Sequence, residues 1–275
     1  MGGMATYWRV FLTFARNSLV RDMTFRGNFL LDAISSLAWV VPNVILYLQV
    51  FRFTNSIGKD SGWGEYQFYV FFATGLVMNS LVQTFFMTNI DELTDMIRTG
   101  GLDFVLLMPA DTQFLVSLRR VDWSSLANVV AGLAILVFSL ARLSYTPGVA
   151  QVVLYLVYMG CGVAIYYSLM ITLGASTVWL GRNLTLYDFW FYIITFSRYP
   201  MEIYRGPWGV WLGRLFTFVI PVLLVINIPA RMLVWPLGAR QWPLALFTIG
   251  ASGACVAASR WVFQLALSSY RSASS

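Results

Sequence analysis

The chain contains no histidine, a single lysine and two cysteines, and charged residues make up only 11% of its 275 positions. Without histidine, the commonest general base near neutral pH and the commonest transition-metal ligand are both missing. A Ser-His-Asp hydrolase and a two-histidine zinc site are therefore excluded. The lone lysine, Lys59, follows Gly58 in Ser56-Ile57-Gly58-Lys59-Asp60, without the earlier glycine of a phosphate-binding loop. Any ATP hydrolysis must be the work of another chain. Cys161 and Cys255 fall inside long apolar stretches, so they support neither a disulfide framework nor a redox assignment. The net charge of +6 rests on arginines. Most of these flank apolar runs, where membrane orientation and lipid contact explain them better than nucleic acid does.

What the chain has instead is hydrocarbon. Hydrophobic residues make up 59% of it, against about 45–50% for a soluble domain. The expected class is an all-α integral membrane protein, a single transmembrane domain over residues 1–275. Residues 7–26 are amphipathic: Trp8, Phe11, Leu12, Ala15 and Leu19 recur at helical spacing, with Arg9, Thr13, Arg16 and Asn17 on the other side. Within a segment taken as 4–26, this predicts a helix lying in the membrane interface; arginines interrupt the run too often for a cleaved signal peptide. Spans are expected at residues 29–51, 66–88, 123–145, 149–180 and 242–267, with a kink at Pro42 in the first. Residues 186–197 are apolar but short, and six of the nine prolines lie between Pro200 and Pro243. Residues 200–235 are accordingly expected as broken or re-entrant helices rather than one straight span. Six crossings in all place both termini on one side. With that side inside, the first four spans leave eight basic residues in the cytoplasm and three outside, an asymmetry that favours cytoplasmic termini.

Six of the twelve acids fall between Asp91 and Asp122. That clustering marks residues 89–122, between spans two and three, as a segment held in water. Asp91, Glu92, Asp95, Ile97 and Arg98 lead into Thr99-Gly100-Gly101, which should end a short helix. Leu102, Asp103, Leu106, Leu107 and Met108 then form a partly apolar patch that Pro109 stops. An exposed Leu-Leu-Met run needs a cover, so the segment reads as a docking site; an ordinary charged loop is the plainer alternative.

Elsewhere, Glu202 stands at helical spacing from Arg198 and Arg205, which suggests either a substrate gate or a structural ion pair. Asp32 suits a helix amino terminus better than a proton relay. Asn79, Gln83 and Asn128 could line a polar path or simply hydrogen-bond between helices. Gly250, Gly253, Ala254, Ala257 and Ala258 make a small-residue face for close packing, within the protomer or between copies.

Taken together, the chain resembles the permease subunit of an ABC type-2 transporter. The resemblance runs over nearly the whole length. It rests on the amphipathic start, on Ile97-Arg98-Thr99-Gly100-Gly101-Leu102-Asp103 followed by Leu106-Leu107-Met108-Pro109, and on Arg198-Tyr199-Pro200 with Ile220-Pro221. The resemblance implies a transport subunit, not an enzyme, in a bacterial inner membrane, working as an exporter. It implies a separate ATP-binding subunit, which carries ATP and Mg while this chain carries no cofactor, and a second permease copy or paralogue. Residues 89–122 would be the coupling region, and Tyr199, Pro200 and Pro221 would belong to the gate with Arg198, Glu202 and Arg205. Two alternatives come from other classes: a membrane-embedded lipid-modifying enzyme and an ATP-independent secondary transporter. The latter's usual inverted repeat is not visible.

Overall fold

The computed structural model describes residues 4–57, 62–180, 184–206, 209–238 and 241–270, with the side chains of residues 4, 184–188 and 205 outside that description. Lys59 and Arg182, both counted in the charge asymmetry, and the Arg205 side chain of the candidate gate thus lie outside the described residues. The described residues are 84% helix, with no strand among them.

The helices, in order, are α1 (Met4–Thr24), α2 (Arg26–Phe53), α3 (Glu65–Val82), α4 (Thr88–Thr99), α5 (Leu102–Leu106), α6 (Thr112–Leu118), α7 (Leu126–Arg142), α8 (Val149–Leu180), α9 (Leu184–Ser197), α10 (Gly209–Arg214), α11 (Val222–Val234) and α12 (Trp242–Ser269). Among the described residues, four stretches are long and apolar enough to cross a membrane: Arg26–Phe53, Glu65–Thr99, Val149–Leu180 and Trp242–Ser269. A fifth arises if Gly209–Val219 and Val222–Val234 are taken together, although they meet at 85°. The bend falls at Ile220-Pro221, where the missing proline N–H ends the ladder, so the expectation of a broken helix holds there. Helix α7, the third expected span, has 17 residues, about 25 Å of rise against about 30 Å of hydrocarbon. Four spans, or five with the bent pair, are what length and composition support, against the six expected.

The second span departs from expectation in another way. Residues 66–88 were to end where the charged segment begins, but α3 and α4 are joined by a π-turn at Gln83–Met87 and form one rod, Glu65–Thr99. One extra residue in a turn keeps the axis continuous while rotating the faces beyond it. Below the turn the helix exchanges a membrane pattern for a charged one. Helix α2 likewise runs on through Pro42, beside which Asn43 Nδ2 donates to the Trp39 carbonyl at 2.7 Å.

The core is built around α11, of whose 13 residues all but Arg231 are buried. A helix apolar on every side belongs in an interior, and α11 lies among α3, α8 and α9. Glycines allow this closeness. A Cβ on Gly162 would stand 2.5 Å from Met78 Cε and 3.0 Å from the Val225 carbonyl, and one on Gly132 would stand 2.7 Å from Val77 Cγ2. Pro229 has no N–H to offer that Val225 carbonyl, four residues back, so the bare oxygen faces the glycine of α8. By contrast, Cβ atoms on Gly250 and Gly253 of α12 would meet nothing within 4 Å. The small-residue face is not used in packing the protomer at those two positions.

Candidate functional site

Residues 89–122 fold back as a cap on the end of the helical body. Helix α4 stops at Gly100, whose φ of +77° is the left-handed conformation a glycine accepts at a helix end. Helices α5 and α6 then return. Asp111 starts α6 by accepting from Phe114 N at 2.9 Å. Ile90, Leu93, Leu102, Val105, Leu115 and Val116 are buried beneath the cap. It sits on α8 at Gly174, where a Cβ would come 2.8 Å from Ile90 Cγ2.

Polar bonds lock the two ends of the cap together. The Asn89 side chain is buried and donates to the Phe85 and Arg120 carbonyls at 2.8 and 2.7 Å, while accepting from Arg120 N at 2.8 Å. Glu92 pairs with Arg120, and Asp95 pairs with Arg98 at 3.2 Å. The cap is also fastened sideways. Arg260 of α12 forms an ion pair with Asp111 and donates to Gln113 Oε1 at 2.9 Å. Gln113 Nε2 in turn donates to the Tyr167 hydroxyl of α8 at 2.9 Å. The Arg260 guanidinium holds the Asp111 carboxyl below the usual carboxylate range, against the opposing effect of partial burial, with help from the Phe114 N–H.

Helix α1 lies along the same return segment. Asp111 N donates to the Tyr7 hydroxyl at 3.2 Å, Val121 N to Ser18 Oγ at 3.1 Å, and Trp123 Nε1 to the Ala15 carbonyl at 3.2 Å.

At the apex, Phe104, Leu106, Leu107 and Met108 are exposed, Leu107 to 83%. Pro109 is exposed beside them, and Asp91 is exposed on α4. Ile97 and Gly101 are half-buried, and Leu102 faces inward. The residues singled out in the sequence thus separate into an inward set that holds the cap, exposed charges on α4 and an outward apolar set at the apex.

The opposite end of the body carries the second group. Chain direction breaks at Pro200, so Glu202 sits on a 3-10 turn, Met201–Arg205, rather than on a helix continuous with Arg198. It forms an ion pair with Arg231 of α11 and accepts from Trp63 Nε1 at 3.0 Å. The sequence pointed to Arg198 and Arg205 as partners; the Arg205 side chain lies outside the described residues, and Arg231 is a partner 29 residues away. The Glu202 side chain is only 5% exposed, which fits the ion-pair reading better than a water-facing gate. Trp63 also packs edge-on against Trp235 at 4.6 Å. Gln151 donates to the Met232 and Trp235 carbonyls at 2.9 and 3.0 Å, closing this end. Tyr199 is exposed, whereas Pro200 and Pro221 are buried.

Between the two ends, residues of α2, α3, α7, α9 and α11 line a partly open cavity of about 230 Å³. Asn79, Gln83 and Asn128 line it together, as the polar-path reading requires, and Asn43 and Arg198 join them. No group of three or more acid or cysteine side chains that could hold a metal ion exists among the described residues. The sequence reading passed over Arg231 and Arg260, although a charge inside an otherwise apolar helix is itself a signal.

The sequence model of a family described as ABC-2 family transporter protein matches residues 37–274. The chain belongs to that family. No curated protein and no solved structure gives a match. Family and apolar helices agree: this ABC-2 permease is a multi-pass membrane subunit for transport rather than an enzyme. Permeases of this family work with an ABC ATP-binding partner.

Proposed function

We propose that this permease is the membrane half of an ATP-driven exporter and that the cap, residues 89–122, receives a separate ATP-binding subunit on the cytoplasmic side of a bacterial inner membrane. The observation that carries the reading is the apex. Phe104, Leu106, Leu107 and Met108 expose a contiguous apolar patch on a segment otherwise covered in charge. Such a patch is costly in water and suits a protein partner. Ties to α1, α8 and α12 make the cap a rigid attachment rather than a loose loop.

In this reading α1 lies in the membrane interface beside the cap as a connecting helix. Six crossings are completed by α7 and by the segments after α9, with residues 200–235 re-entrant, and both termini are cytoplasmic. ATP and Mg stay on the partner. Closure of two partner subunits on ATP moves the two caps, and the spans attached to them shift between discrete arrangements. Pairing with a second permease is supported by the unused small-residue face of α12.

Leu107→Asp tests the proposal because so exposed a side chain contributes little to folding. In mild detergent the wild-type permease should bring down the ATP-binding subunit, and the variant should lose more than about tenfold of it with unchanged yield and melting temperature. Equal capture by both, or full transport by the permease alone, overturns the reading.

A further inference from the structure

We propose that the cavity inside the protomer binds the polar head of an anionic amphiphile that enters from the membrane. Asn43, Asn79, Gln83 and Asn128 bring four carboxamides to its wall, and Arg198 is the only charged side chain among the described lining residues. Carboxamides donate and accept alike, whereas an arginine with no carboxylate among the described lining residues selects against cations and for an anion.

One of the four points directly to a missing partner. Asn128 is 8% exposed, yet its Oδ1 has no hydrogen-bond partner. A buried acceptor left bare is costly and rare. A hydroxyl or N–H on a bound head would satisfy it.

Size and access set the rest. At about 230 Å³ the cavity is smaller than the roughly 300–1,000 Å³ that encloses a whole small ligand. It suits a head alone, with an apolar chain left outside. The wall toward lipid is α2, which buries only Val40, and Trp39, which also lines the cavity, is 70% exposed. The cavity is only partly enclosed, which leaves an open side for a chain to trail into lipid. Gln83, which opens the π-turn, and Asn128 each stand six residues in sequence from an end of the cap.

The inference rests on the transport reading only in calling the ligand cargo; binding itself stands on the cavity. The test uses purified permease in nanodiscs of phosphatidylcholine, titrated with 11-(dansylamino)undecanoate and, separately, with a dansyl alkylamine of the same chain length. The carboxylate probe should bind saturably and the amine should not. Arg198→Gln should weaken the carboxylate at least tenfold, and Arg198→Lys should retain most of the binding. Competition by phosphatidylglycerol identifies a membrane lipid as the source, and its absence with retained probe binding identifies a free amphiphilic anion. Equal affinity for both probes, or variants indistinguishable from wild type at unchanged melting temperature, overturns the proposal. Loss of probe specificity with normal capture of the ATP-binding subunit would remove the cavity site alone, and the converse result would remove the transport reading alone.

Discussion

Asp111 connects more of the molecule than any acid singled out in the sequence. It starts α6, pairs with Arg260 of α12, and its backbone N–H meets Tyr7 of α1. Because Arg260 depresses its folded pKa, the stabilisation is fully present above the unfolded value of about 3.9. It is lost as pH falls through the folded value below that. The wild-type melting temperature should therefore drop on acidification below about pH 4. Asp111→Asn should melt lower at pH 7 and lose less over the same acid range, as a thermal series in detergent can read. An equal acid loss in both proteins would assign it to other carboxylates. Arg260 was invisible as a partner because the two residues are 149 apart in sequence, and periodicity within one helix carries no information about that pairing.

Among the elements, the cap was the most legible. Thr99-Gly100-Gly101 marked the end of α4 because only glycine accepts the positive φ found there, and Leu106-Leu107-Met108 proved exposed as the pattern suggested. The fusion of α4 with the second span was not legible. Charge begins at Asp91, and hydropathy alone reads that onset as the end of a helix, whereas backbone hydrogen bonding continues without regard to side-chain polarity. Nor could the sequence show that Asn89, an ordinary polar residue near a membrane edge, closes the cap by two bonds to the Arg120 backbone. Asn89→Leu strips these and leaves the Arg120 backbone unpaired, at a cost of about 1–3 kcal/mol for each buried group left bare. Faster hydrogen exchange across 111–122, with exchange in α8 and α11 unchanged, is the expected result. Uniform acceleration would mean that the cap is not a separate unit of stability.

At the level of the whole molecule, hydropathy named the long spans, with α8 reproduced to the residue at Val149–Leu180. In the proline-rich third it pointed to a broken helix, which the 85° bend matches, but not to α11 as the most enclosed helix among those described. Sequence shows an apolar run and a bend, but burial depends on which neighbours close around the run, and those come from α3, α8 and α9. The orientation can be checked directly. Leu107→Cys, in a background where Cys161 and Cys255 are replaced by serine and alanine, should react with an impermeant maleimide in inverted membrane vesicles and not in intact spheroplasts. The opposite pattern would place the cap outside the cell and remove any role for a cytosolic ATPase.

The uninterrupted rod Glu65–Thr99 has a consequence for how far such a motion reaches. Its 35 residues extend about 52 Å, from the tryptophan-lined far end to the first glycine of the apex, with a single irregular turn along the way. Pivoted at that turn, the rod behaves as a seesaw with unequal arms of 18 and 12 residues. A nudge of a few ångströms at Thr99 becomes a larger sweep in the reverse direction at Glu65, so geometry alone gives the small surface a long reach.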